Sequence, residues 1–124
     1  MTTFQDGPAK GKTLMLRRAP RFLRVVEKNG KFDALDQLDD KPEPGENLFA
    51  YEITGRPGMM HIHKRGGGGW YPIANYRFIE PQPTDAEMRT IEAWHSWCMK
   101  EDDRRPFVES AAYAQSAVKE GSGH

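Results

Sequence analysis

Pro81-Gln82-Pro83 cuts this chain in two. Before it, apolar residues alternate in short runs punctuated by glycine and proline; after it, they recur at helical spacing. The boundary is sharpened by Thr84-Asp85-Ala86-Glu87, a capping box. In such a box the threonine side chain accepts from the glutamate amide while the glutamate reaches back to the threonine amide. Met88, Ile91, Trp94 or His95, and Cys98 then form an apolar stripe on a helix that fades in Lys100–Arg105. Pro106 suits the first turn of a weaker helix in which Phe107, Ala111, Ala114 and Val118 share a face. Strands first and helices after them define an α+β domain.

The β half divides at its turn residues. Thr13–Arg18 reads as a short strand stopped by Ala19-Pro20, because proline removes a ladder donor. Arg21–Glu27 is the strongest strand. It ends in Lys28-Asn29-Gly30-Lys31, where Asn-Gly supplies the two positive-φ positions of a type I′ hairpin turn. The return strand starts at Lys31-Phe32 and fades near Leu35–Leu38. Asp39–Asn47, with two prolines and a Pro-Gly pair, is an acidic loop. Leu48–Thr54 is a further strand ended by Gly55-Arg56-Pro57-Gly58, and Met59–His63 with Trp70–Ile79 frame a second hairpin around Gly66–Gly69.

The expected architecture is a small, strongly bent antiparallel β-sheet or open barrel of five to six strands. One well-formed C-terminal helix and a weaker second helix follow it. Residues 1–12 read as a flexible arm, 13–105 as the domain and 106–120 as a helix or tail. Gly121-Ser122-Gly123-His124 resembles the remnant of a linker and tag.

At 124 residues the chain can bury a modest core, roughly two-thirds of its unfolded surface. No apolar run approaches the ~18 residues of a membrane span, so no integral membrane role is expected. The first residues lack a secretory signal pattern, and the single Cys98 permits no internal disulfide, which points to the cytoplasm. Net charge is zero, yet the charge is segregated. Met1–Lys31 carries eight basic and two acidic residues, Phe32–Glu52 one and seven, Ile53–Ile79 four and none, and the remainder five and nine. Such blocks either compensate across a sheet or build a charged face.

The segment His61-Ile62-His63-Lys64-Arg65 followed by four glycines, Trp70 and Tyr71 concentrates ligands, cations, open backbone and aromatics. Residues two apart on a strand share a face, so His61 and His63 can reach one divalent transition metal. Gly55, five residues and His61-Ile62-His63 resemble the opening of the first motif of the cupin family, which implies a metal-dependent enzyme using that pair. The family's glutamate falls where Gly67 or Gly68 stands, and its second motif is missing. The glycine run lacks the Lys-Ser/Thr and following helix of a P-loop.

Two further sets complete the inventory. Arg17, Arg18, Arg21, Arg24, Lys28 and Lys31, interleaved with aromatics, suit a groove for single-stranded nucleic acid on a small β-barrel. Cys98 sits three residues from His95, but late in its helix, where the dipole opposes thiolate formation. No complete catalytic set emerges. The expectation is a non-enzymatic protein-binding domain that needs no cofactor and contacts its partner through Lys64, Arg65, Gly67, Gly68, Trp70, Tyr71 and Trp97. Small proteins of this kind are common as accessory or inhibitor proteins of phages and mobile elements. Self-association remains open.

Overall fold

The structure, a computed structural model, describes residues 1–104; the expected helix or tail at 106–120 lies outside the described residues. Its elements are β1 (Thr2–Phe4), β2 (Thr13–Leu14), β3 (Phe22–Lys28), β4 (Lys31–Leu35), β5 (Asn47–Ile62), β6 (Gly69–Phe78), α1 (Asp85–Arg89) and α2 (Ile91–Arg104). The strands form one six-stranded sheet in the order β2-β1-β6-β5-β3-β4, and the helices follow it, so the domain is α+β.

Four of its five strand pairings are antiparallel, as expected, and one is parallel, so the sheet is mixed. β1 runs parallel to β6, with Thr2 opposite Ala74 and Phe4 opposite Tyr76. Within residues 1–12, read above as a flexible arm, Thr2–Phe4 joins the sheet and the loop after it packs on Tyr51. Phe4 and Ala9 are buried in the core, and the Tyr51 hydroxyl pins the following loop by accepting from the Ala9 amide (2.9 Å) and donating to the Asp6 carbonyl (2.9 Å). Three residues, two threonines followed by Phe4, give too short an alternation to recognise as a strand; the buried tyrosine supplies what local propensity does not.

The β3–β4 hairpin forms around Asn29 (φ 54°) and Gly30 (φ 80°), as Asn-Gly requires. β5 departs from expectation differently. Gly55-Arg56-Pro57 does not end the strand but is absorbed as an irregularity between Thr54, opposite Asn75, and Gly58, opposite Ile73. Gly55 takes φ 73°, and Pro57 sits where the ladder is already broken. The strand continues to Ile62.

Two apolar cores lie on opposite faces of the sheet. Phe4, Leu16, Leu23, Val25, Tyr51, Ile53 and Tyr76 fill one, with Leu14 and Phe32 packed against it from the two edge strands. The Lys12 ammonium stands 5.8 Å from the Phe32 ring centre, so the edges of the bent sheet approach each other. Phe22, Val26, Leu48, Ala50 and Ile79 meet Met88, Trp94 and Cys98 on the helical face.

The capping box forms as read, Thr84 to Glu87 in both directions. The single expected helix is two, because Thr90 leaves the helical region (φ −99°, ψ 129°). Its amide closes α1 on the Ala86 carbonyl, and its carbonyl accepts from the Trp94 amide at the start of α2. Trp94 faces the core and His95 faces outward. Among the described residues no helix is long and apolar enough to cross a membrane.

Candidate binding arm

β5 and β6 outrun the rest of the sheet. β3 pairs with β5 only as far as Glu52, and β1 pairs with β6 only from Ala74 onward. Beyond those points Gly58–Ile62 and Gly69–Ile73 pair solely with each other, as a two-stranded arm with no described strand on either outer edge. Alternation along β6 explains how Pro72 is tolerated there. The Ala74 amide donates outward to Met1, so the position two residues earlier also points outward, and its missing N–H breaks no β5 bond.

The arm exposes large apolar side chains. Trp70 is 63% exposed and Met59 57%, and Ile73 is also exposed. Trp70 lies opposite His61, their rings 4.9 Å apart, and Met59 shares that face two residues away. Tyr71, on the other face opposite Met60, is half-buried beneath the Arg17 guanidinium, 5.0 Å from its ring centre. At the tip, Lys64 and Arg65 are exposed and the Gly67 amide closes a turn on the Lys64 carbonyl (3.2 Å). An open cavity of about 420 Å³ lies between His61, Ile62, His63, Lys64, Arg65 and Gly67–Gly69.

Lys64, Arg65, Gly67, Gly68, Trp70 and Tyr71 thus belong to one protruding element. Trp97 does not. It lies on α2, stacked on Trp94 at 5.2 Å and edge-on to Phe22 at 5.0 Å, and half-buried against the helical core. Met59 and Ile73 were missing from the expected contact set. Their only sequence signal was an apolar Met-Met pair after a turn-like Gly-Arg-Pro-Gly, which reads as ordinary core until the strand is known to continue past its neighbours.

The basic set is dispersed. Arg24 is fully buried, and its guanidinium donates to the carbonyls of Met88 (2.9 Å) and Asp40. Arg21 is buried between Glu52 (3.3 Å) and Asp102 (2.6 Å). Arg18 donates to Gln37 and Arg17 covers Tyr71, while Lys28 and Lys31 flank the exposed β3–β4 turn. Arg21 and Arg24 therefore face protein groups rather than a groove. Part of the charge segregation is answered across the sheet: Glu52 lies directly opposite Arg77 and accepts from it at 3.0 Å while also holding Arg21, just before β3. The tip keeps its own sign. β5 separates Lys64-Arg65 from the acidic loop at its start by about 50 Å along the strand, at ~3.3 Å per residue.

The groups that could carry chemistry are placed apart. Burial pushes the Cys98 thiol up to about 12, with Asp102 adding to the shift, so it is no nucleophile at neutral pH. Among the described residues no third His, Cys, Asp or Glu joins His61 and His63. Glu52 is held by Arg21 and Arg77, and His95 stands on the outer side of α2. Comparisons with protein families, characterised proteins and solved structures find no match for this chain.

Proposed function

We propose that this protein is a non-enzymatic binding protein that engages another protein through the β5–β6 arm. The observation that carries this reading is an arm that leaves the sheet and displays Trp70, Met59 and Ile73 to solvent. A two-stranded ribbon is marginally stable by itself in water, and its apolar side chains gain nothing from being held away from the core. Tryptophan and methionine are enriched at protein interfaces, where an exposed indole supplies a large anchor at low entropic cost. The outer edge of β5 adds backbone groups that a partner strand can pair with, whereas Pro72 and Met1 blunt the edge of β6. Lys64 and Arg65 at the tip call for a partner with acidic residues around an apolar patch.

The reading is tested with a photo-crosslinker at position 70 and a control at exposed Glu92 on α2, both in the native host. The expected result is one protein captured from position 70 and not from position 92. Titration of that purified protein should show Trp70→Ala weakening binding by about 2 kcal/mol with the fold intact. Capture of the same chain would identify a second copy as the partner. Equal capture from both positions, or unchanged affinity in Trp70→Ala, would overturn the proposal.

A further inference from the structure

The two imidazoles of the arm do more than share a face. His61 Nδ1 and His63 Nε2 approach to 3.0 Å, with the rings 4.2 Å apart and inclined by 76°. The difference in atoms follows from position. His61 is fixed in the ladder opposite Trp70, whose ring packs against it, whereas His63 lies just past Ile62, the last residue of β5, and folds back with its far nitrogen. Two zinc–nitrogen bonds of about 2.0–2.1 Å opened by about 90–110° place their nitrogens about 2.9–3.4 Å apart. The observed separation lies within that span.

We infer that His61 Nδ1 and His63 Nε2 form a two-nitrogen seat for a divalent transition ion of the zinc class. Imidazole pairs favour Zn²⁺, Ni²⁺ or Cu²⁺ and offer little to Mg²⁺ or Ca²⁺, which take oxygen ligands. The adjoining open cavity leaves the rest of the coordination shell to water or to an external ligand. With Lys64 and Arg65 beside it, that external ligand is an anion, such as a carboxylate. A bound ion ties the tip, through His63, to the paired part of the arm, through His61. It thereby orders the Lys64–Gly69 turn. The inference rests on the arm's geometry and is independent of whether the arm meets a protein.

The test titrates ZnCl₂ into the full chain carrying His95→Ala and His124→Ala, which removes the other two histidines. Heat of binding is read with imidazole nitrogen shifts and amide exchange. The expected result is one ion per chain, nitrogen shifts at both His61 and His63, and slowed exchange from Lys64 to Gly69. His61→Ala and His63→Ala should each weaken binding by about tenfold or more. Both side chains are exposed, so the variants keep the fold, and the nitrogen shifts need no variant. Binding that ignores both substitutions, shifts at neither histidine, or no saturation at millimolar zinc would each overturn the inference. MgCl₂ in place of ZnCl₂ should leave the nitrogen shifts unmoved.

Discussion

The Arg24 guanidinium sits 5.3 Å from the centre of the Trp94 ring, joining the middle of β3 to α2 through the helical core. It also donates to Met88 at the end of α1 and to Asp40 in the acidic loop, so one buried cation fastens three segments that share no ladder. Burial draws its pKa down from the ordinary arginine value, and nearby Asp40 opposes that shift. Arg24→Ala leaves those carbonyls without a donor and opens a cavity beside Trp94. We expect a loss of about 3 kcal/mol, read from the urea midpoint. Arg24→Lys should recover little, because a point charge cannot fork to two carbonyls while lying on an indole.

Glu52 makes a sharper case. It is 2% exposed, between buried Arg21 and half-exposed Arg77. Glu52→Ala removes one carboxylate partner of buried Arg21 while Asp102 stays at 2.6 Å, and it should cost about 1–3 kcal/mol. Arg21→Met in the same chain removes the under-compensated charge and should restore part of that loss. A double-mutant cycle measures this directly. Additive losses would show that the two side chains act independently.

These two arginines also show where sequence reading reached and stopped. The turn at Asn29-Gly30, the strands beside it and the capping box at Thr84 were legible because each rests on residues within four positions of one another. Arg21 and Arg24 stand in a basic block that reads as a surface groove, and only the tertiary packing brings Glu52 against one and Trp94, on α2, beneath the other. β1 was missed for the same reason, since its partner lies seventy residues on. The glycine-rich tip was legible as a hairpin, but its protrusion depends on where β3 and β1 stop pairing. That is a property of three strands at once.

Cys98 gives the pH dependence. Its thiol is neutral in the folded state up to about pH 12, whereas an unfolded thiol ionises near its ordinary value of 9.0. Above that value the unfolded chain has released a proton that the folded chain retains, so stability is fully present below pH 9 and falls as pH rises toward 12. Burial also raises the Tyr76 hydroxyl and adds in the same direction. Urea midpoints at pH 8 and pH 10.5 should differ, and Cys98→Ala should reduce the difference. Ellman's reagent should react slowly with the native chain at pH 8 and rapidly in urea.

Gly7 should be the least replaceable glycine of the N-terminal loop. It adopts φ 73°, and a Cβ there would stand 2.7 Å from both the Phe78 ring and the Tyr51 hydroxyl. Gly11, at φ 79°, has open space around the same position. Both alanine substitutions bear the positive-φ penalty, but only Gly7→Ala must also push the loop off Tyr51 and Phe78. We expect Gly7→Ala to cost about 1–3 kcal/mol more than Gly11→Ala, read from thermal midpoints. The Ala9 amide, held by the Tyr51 hydroxyl, should exchange faster in Gly7→Ala alone.

The tip offers a pair of substitutions that separate arm from core. A Cβ at Gly68 would lie 2.3 Å from the Ile62 carbonyl oxygen and 3.2 Å from the Lys64 nitrogen, both backbone atoms that cannot swing aside. At the neighbouring Gly67 a Cβ meets nothing within 4 Å. Gly68→Ala must therefore reshape the turn that sets His63 against His61, whereas Gly67→Ala leaves it alone. Neither glycine touches the two cores, so both variants should keep the parent's denaturation midpoint to within about 0.5 kcal/mol. The local response should differ. In Gly68→Ala the Trp70 indole and the resonances of His61 and His63 should move while the buried Trp94 indole stays in place. In Gly67→Ala all four should hold. If the two alanines perturbed His61 and His63 equally, the close approach of Gly68 to Ile62 would not be what positions the pair. If Gly68→Ala shifted Trp94 as well, the arm would be coupled to the helical core rather than standing apart from it.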